Sequence, residues 1–554
     1  MYMADCNAQA TGECSEAEGK DTTASGSASH AEGYQTTGSG FAAHAEGYAT
    51  QALGSASHAE GGASAAHGLY SHAEGRNTNS AEEAAHAEGY LSAASAFAAH
   101  AEGYASQALG SAAHAEGGAT QASGLYAHAE GELTQALGDR AHAEGQMTSA
   151  IATNAHSEGQ QTTATATNAH AEGLNTIASG PNSHAEGQLT SATAANAHAE
   201  GQHAESAGLA SHAEGIDTLA SGQASHAEGS GCYSLGLASH VEGKLTYSQA
   251  EAAHSEGYLS RTYGAYSHAE GNQTIAVGQA SHAEGIDTAA YGLYSHSQGA
   301  STKADGLASH AEGVGTSTNM LEGVHIMGRY GKATTEPYSW YLANGTSAGS
   351  LGLAAIIQNN GDVKIDGAVS SPAADYAEMF ETFDGNPIEP GYFITAVGEK
   401  VRIATSSDPF VVGISSGRPA FLSGNAELSW PQKYLTDEWG RTLYHDVVVP
   451  AHLNPNGQVI VPERTERQPQ LNPDWDPSRE YIPRINRPEW LAVGMVGKLL
   501  VRDDGTCQPG AFCKPNDNGI ATASTTPGSG CYVLKRTAPN RVLVLLGATL
   551  INAT

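Results

Sequence analysis

The sequence predicts an all-β, fibrous protein, and three observations carry that prediction. A motif of the form Ser/Ala-His-Ala-Glu-Gly recurs every 14 residues without a slip; the 554 residues include 67 Gly but only 6% aromatic and 15% charged residues; and the composition changes abruptly near residue 375. So little aromatic and charged material over such a length does not suit a pair of ordinary packed globular domains. A solenoid followed by a smaller, conventional β domain does suit it.

Residues 1–14 form a short N-terminal tether. The opening Met1-Tyr2-Met3-Ala4-Asp5-Cys6 has neither a basic nor an apolar region, and no run of about 18 apolar residues occurs. No export signal and no membrane insertion are therefore expected. The six cysteines, Cys6, Cys14, Cys232, Cys507, Cys513 and Cys531, show no CxxC spacing. Reduced thiols in the host cytoplasm at synthesis follow, with Cys507 and Cys513 the pair to inspect.

Residues 15–315 carry 22 repeats. Histidine occupies its slot 21 times, from His30 to His310, and Glu16 fills it in a degenerate first copy; the acidic slot fails only at Gln298. Fourteen residues suit one tight coil with two short strands and two turns, glycine supplying the freedom the turns need. The turns are assigned to the Gly three places after each His and to the Gly or Ala four places before it, Glu82 being the exception. A helix is excluded because glycine punctuates every coil and no 3.6-residue apolar period survives. At about 4.8 Å per strand the stack makes a rod of roughly 100 Å.

This repeat resembles the head repeat of trimeric autotransporter adhesins. The resemblance implies a left-handed parallel β-roll (solenoid) trimer, although that family usually has aliphatic residues where this chain has His and Glu. If its geometry carries over, His30, Glu32, His44, Glu46, His58 and Glu60 and their equivalents form a ladder facing the threefold axis, with Ser and Ala inside the coils. Strand alternation by itself already puts His and Glu of one motif on one face.

Histidine beside carboxylate also suits a metal or acid/base site. A catalytic site is needed once, however, and these pairs recur in nearly every coil. The ladder is therefore read as structural, carboxylates accepting hydrogen bonds from imidazoles and holding chains in register, with no metal and no cofactor assigned; ions or waters on the axis are the alternative. Glutamate neighbours are expected to raise the histidine pKa values.

Residues 316–374 read as a short β-meander connector and cleavage linker, with strands at 341–346, 353–357 and 361–367 between Asn-Gly-type turns. The segment resembles connectors below β-roll repeats in phage fibres. Residues 375–554 form a compact β domain holding Trp430, Trp439, Trp475 and Trp490 and most of the prolines. Its strands are expected at 392–397, 410–414, 491–496 and 541–546, and the Pro/Arg-rich stretch 462–489 is expected to be extended, as an arm or a surface loop.

This domain resembles the peptidase G2 family of intramolecular chaperones. The matching stretches are Asp375-Tyr376-Ala377-Glu378, Asp384-Gly385-Asn386-Pro387, Lys433 through Arg441, and Gly497-Lys498 through Cys507. The resemblance implies self-cleavage between Ala374 and Asp375 after trimerisation, Asp375 supplying the residue after the cut and Glu378 the proton transfer. Two carboxylates three residues apart are otherwise commonplace on a solvated face. Ala374 has no hydroxyl, which disfavours an acyl shift and favours attack by water or by the Asp375 carboxylate.

The resulting expectation is a homotrimeric phage tail-fibre or appendage shaft, on the virion but made in the host cytoplasm. Its partners would be a virion attachment protein and a host cell-surface receptor, glycan or protein. The formal net charge of −33 excludes nucleic acid and anionic membrane as partners. The alternatives are a bacterial surface adhesin and a glycan-degrading spike; the first would need a signal peptide and a membrane β-barrel, the second a carboxylate pair in a cleft.

Overall fold

The structure, a computed structural model, describes residues 6–547 apart from 429, 454–456, 458, 527 and 528, so residues 1–5 of the expected tether lie outside the described residues. The chain divides into two compact units, Met1–Gly367 and Ala368–Thr554. No α-helix occurs among the described residues.

In the first unit each coil contributes one five-residue strand, such as His30–Tyr34, and one two-residue strand, such as Thr37–Gly38. Each pairs in parallel with its counterpart in the next coil, His30 opposite His44 and Thr37 opposite Gln51. Alternation along these strands turns Ser29, Ala31, Thr36 and Gly38 inward and leaves His30 and Glu32 half-buried on the outer face. The interior is consequently a set of ladders of small side chains: Ala87, Ala101, Ala115 and Ala129 are all fully buried. Such a core buries little apolar area per residue, so the continuous parallel hydrogen-bond ladder carries much of the cohesion. Ala101→Leu is expected to overpack its coil at a cost of about 1–3 kcal/mol and to lower the thermal midpoint of the full chain. An unchanged midpoint would mean the coil interior has slack.

The corners differ from the sequence expectation. Gly33, assigned to a turn, lies inside the strand His30–Tyr34; its φ is +111°, and a Cβ there would lie 2.2 Å from the Gly47 carbonyl oxygen. Gly26, assigned to the other turn, does not adopt a left-handed conformation; a Cβ would come within 2.0 Å of the Gly40 carbonyl oxygen, so glycine serves close packing there. The left-handed corners fall instead on non-glycine residues at seven-residue intervals, for example Ala28 (φ 55°), Gln35 (φ 59°) and Ala42 (φ 52°). That conformation costs roughly 1–2 kcal/mol per residue. It is offset by inter-coil bonds, since the Ala42 N–H donates to the Ser27 carbonyl at 2.9 Å.

The roll also outlasts its motif. His325–Arg329 and Trp340–Asn344 add two further parallel coils, His310 pairing with His325 and His325 with Trp340, each step now 15 residues. The antiparallel strands start only at Leu353–Ile357 and Val363–Ile365. The segment near 341 expected in the meander is thus part of the roll.

The second unit is built around Trp490–Arg502, a strand much longer than the 491–496 expected. Along its length it pairs with Asp375–Glu381, Gly413–Ser415 and Arg541–Leu546. Phe393–Val397 and Arg541–Leu546 fall where expected, whereas only Gly413–Ser415 forms in the 410–414 region. Within the Pro/Arg-rich stretch, Arg464–Pro469 pairs antiparallel with Tyr444–Val449 rather than extending as an arm. Phe393, Ile414, Val501, Val533 and Val544 centre the core. Cys507, Cys513 and Cys531 are buried in it as free thiols. Burial pushes the Cys531 thiol up to about 12, and a hydrogen bond between Cys507 and Cys513 raises the Cys507 thiol, so neither offers a thiolate at neutral pH.

Candidate functional site

Asp375 opens the strand Asp375–Glu381, in which alternate residues turn inward: Asp375, Ala377 and Met379 are buried while Tyr376 is exposed and Glu378 half-buried. Asp375 is 6% exposed, and its Oδ2 has no hydrogen-bond partner among the described residues. Leaving a carboxyl oxygen buried and unpartnered costs about 1–3 kcal/mol or more. Such a cost marks a group held for chemistry rather than for stability.

Ala373, Ala374 and Asp375 line one wall of a cleft of about 560 Å³, with Ser415, Arg418, Lys498, Arg502 and Arg541 around the rest. Asp375 is the one carboxylate among the lining residues. The peptide is clamped on both sides: the Lys498 N–H donates to the Ala374 carbonyl at 3.2 Å, and the Ala420 N–H to the Asp375 carbonyl at 2.8 Å.

Glu378 lies on the opposite face of the same strand. It is near Gly424, whose carbonyl accepts from Arg484 Nη1 at 2.7 Å, and on the side where the Tyr376 hydroxyl bonds Ser423 Oγ at 2.8 Å. Within one chain the structure therefore does not bring Asp375 and Glu378 together. The sequence reading gave no role to Lys498 or Ala420; only the sheet topology places their N–H groups on this peptide.

In the roll, the predicted ladder residues share one outer face. His30, His44 and His58 stack on one another with ring centroids 4.8 Å apart, and His Nε2 to Glu Oε2 separations are 3.8, 3.8 and 3.6 Å in those coils. These are ion-pair distances too long for hydrogen bonds, and the buried Nε2 atoms of these three have no hydrogen-bond partner among the described residues. His156 to Glu158, at 3.4 Å, does reach the expected hydrogen bond. Triads such as His72, Glu74 and His86 bring ligand atoms within 4.8 Å of one another, but the two rings are parallel to 2°, so their in-plane lone pairs run side by side instead of converging on an ion.

The expected rise in histidine pKa is overturned. Burial first, and neighbouring imidazoles second, hold His58, His86 and His254 below the ordinary value, and His310 down to about 4; the glutamates pull upward but are outweighed. A folded pKa depressed below the unfolded 6.5 means the unfolded chain takes up protons first as pH falls. Stability is therefore full above about pH 6.5 and is lost as pH drops toward 4. The thermal midpoint should be level from pH 7 to 9 and fall steadily between 6.5 and 4; a midpoint level down to pH 4 would contradict this.

Residues 328–539 match the family described as "Peptidase_G2, IMC autoproteolytic cleavage domain". Among curated proteins, the chain is 33% identical over 169 residues to a pre-neck appendage protein of Bacillus phage B103, covering 30% of this chain and 18% of that protein. It is 37% identical over 161 residues to the putative phage-related protein YobO of Bacillus subtilis (strain 168), covering 29% and 18%. The match to the pre-neck appendage protein of Bacillus phage phi29 is 32% over 177 residues, covering 30% and 19%. The matched region thus spans less than a fifth of each of these relatives. Among solved structures, a C-terminal fragment of bacteriophage phi29 gene product 12 is similar at 30% identity, covering 31% of this chain and 99% of that one, with a TM-score of 0.25. Repeats of β-roll type followed by a peptidase G2 domain fit a phage appendage protein.

Proposed function

We propose that this phage appendage protein is a homotrimeric shaft on the virion, whose C-terminal unit is an intramolecular chaperone that cuts itself off between Ala374 and Asp375 once three chains have assembled. The observation that supports it most is the buried Asp375 carboxylate at the proposed scissile peptide, whose Oδ2 has no hydrogen-bond partner among the described residues, inside a region that matches an autoproteolytic family.

The need for a chaperone follows from the repeat. Sliding one chain by a coil against another replaces each His-Ala-Glu-Gly by a nearly identical one, so registers are close in energy. A terminal clamp that forms once fixes the register, and its removal leaves the shaft kinetically trapped. The His–Glu ladder would face the threefold axis, which gives its unpartnered imidazole nitrogens neighbours from other chains.

The bonds that form and break in cleavage are those of Asp375, the Ala374 carbonyl and water. A carboxylate oxygen of Asp375 bonds to the Ala374 carbonyl carbon, whose π electrons move to its oxygen. Collapse breaks the C–N bond and expels the Asp375 nitrogen, which takes a proton from water; the remaining hydroxide opens the mixed anhydride, leaving an Ala374 carboxyl and restoring the Asp375 carboxylate. Glu378 would manage the proton. Attachment to a virion protein at one end and to a host receptor completes the reading. Denaturing electrophoresis with intact mass tests it: freshly made chain should yield fragments ending at Ala374 and starting at Asp375, absent from Asp375→Ala and Glu378→Ala chains. One uncut chain in all three would make the unit a permanent cap.

A further inference from the structure

The strand opposite the proposed scissile peptide is irregular where it passes it. Tyr376 faces Val496 and Ala377 faces Gly494, so Met495 has no partner and forms a β-bulge. Bulges re-aim backbone groups and gather beside active sites. Two glycines flank this one. A Cβ on Gly497, which has φ +117°, would lie 2.1 Å from the Ala374 carbonyl oxygen and 2.9 Å from Asp375 Cα; a Cβ on Gly494 would lie 2.2 Å from Leu499 Cδ2 and 2.9 Å from Asp375 Oδ2, so it would press on both the core and the carboxylate. The next residue, Lys498, donates its main-chain N–H to that same Ala374 oxygen at 3.2 Å.

We propose that the Lys498 main-chain N–H is the oxyanion donor of the self-cleavage reaction, and that Gly494 and Gly497 are positioning residues that let the bulge close on the Ala374 carbonyl and the Asp375 carboxylate. This rests on the Ala374–Asp375 bond being the one cut. When the carbonyl carbon becomes tetrahedral, its oxygen gains a full negative charge, and a donor already aimed at it from a sheet needs no reorganisation. The donor is fixed because residues 497–502 are locked in a second ladder to Arg541–Leu546, Gly497 facing Leu546 and Lys498 facing Leu545. Asp375 Oδ2 meanwhile has no competing partner among the described residues to give up before it attacks. The arrangement also polarises the carbonyl before reaction, since its electron density is already drawn toward the N–H.

An ordinary sheet bond would give the same ground-state distance, and the clamp supplies the control. The Ala420 N–H bonds the Asp375 carbonyl at 2.8 Å, one residue beyond the bond that breaks. Replacing Lys498 or Ala420 by its α-hydroxy analogue exchanges the N–H for an ester oxygen and removes one sheet bond in each case. In cell-free synthesis of the full chain, the position-498 ester should slow appearance of the Asp375 fragment by about 10²–10³-fold. The position-420 ester should leave the rate within a few-fold, although both lower the thermal midpoint of uncut chain alike. Equal rates at the two esters, whether both slow or both unaffected, would overturn the proposal. A parent chain that is uncut, or cut at a different bond, would overturn the cleavage reading beneath it before the esters are compared. Gly497→Ala should stop cleavage too, but because it also strains a left-handed position its result counts only when the uncut chain melts as the parent does.

Discussion

Asp375→Ala is expected to abolish cleavage while leaving the terminal unit at least as stable as before. Most catalytic substitutions that empty a buried site are destabilising, so the pairing of these two effects is diagnostic. The loss of rate should be at least about 10³-fold, because no second carboxylate is among the described residues that line the cleft to take over the attack. The gain in stability follows from what the side chain does in the folded protein. It is buried, its Oδ2 meets no donor, and it stands against the backbone at Gly494, where a further carbon would come within 2.9 Å. Removing an unpartnered buried polar group relieves about 1–3 kcal/mol, against the small loss of packing from one truncated side chain. Intact mass reads the first effect, and thermal unfolding of the uncut chain, compared with the Glu378→Ala chain, which is also expected to stay whole, reads the second. Continued cutting at residue 374 would remove Asp375 from the mechanism. A marked fall in the midpoint would make its burial structural after all.

Much of this architecture was legible in the sequence, for physical reasons that also set the limit. The roll shows itself because each coil must match the next, which forces Ala31, Ala45 and Ala59 into one interior file and His30, His44 and His58 into one outer file. The left-handed corners did not show because alanine at Ala28 or Ala42 carries no signal of positive φ; only the bonds to the neighbouring coil hold it there. The overrun to Trp340–Asn344 was hidden because its coils lengthen to 15 residues and drop the His-x-Glu pattern while keeping the parallel ladder. At the site, the Asp-x-x-Glu motif pointed to Asp375, whose Oδ2 lies buried without a hydrogen-bond partner among the described residues. Its spacing in a strand nevertheless sends the two carboxylates to opposite faces, and the groups that touch the peptide, Gly494, Gly497, Lys498 and Ala420, come from distant parts of the chain that only the fold assembles.

That opposition of faces leads to a second large effect, in mixed assemblies. A chain lacking Glu378 and a chain lacking Asp375 should each remain uncut alone, yet on co-expression the Glu378→Ala chains should be cut. Asp375 must act on its own amino-side bond, since it is covalently part of it. Glu378 is under no such constraint, and the half-buried position by Gly424 and Arg484 faces away from its own strand's cleft. In a homotrimer that face can meet a neighbour, so each bond would use its own Asp375 and another chain's Glu378. Cleavage would then require assembly, because a lone chain holds both carboxylates but never on one bond. With the two variants bearing tags of different size, cut product from the Glu378→Ala chain alone is the expected pattern. Absence of any product would mean that Glu378 acts within its own chain or only supports the fold, and the coupling of cutting to assembly would have to come from elsewhere in the terminal unit.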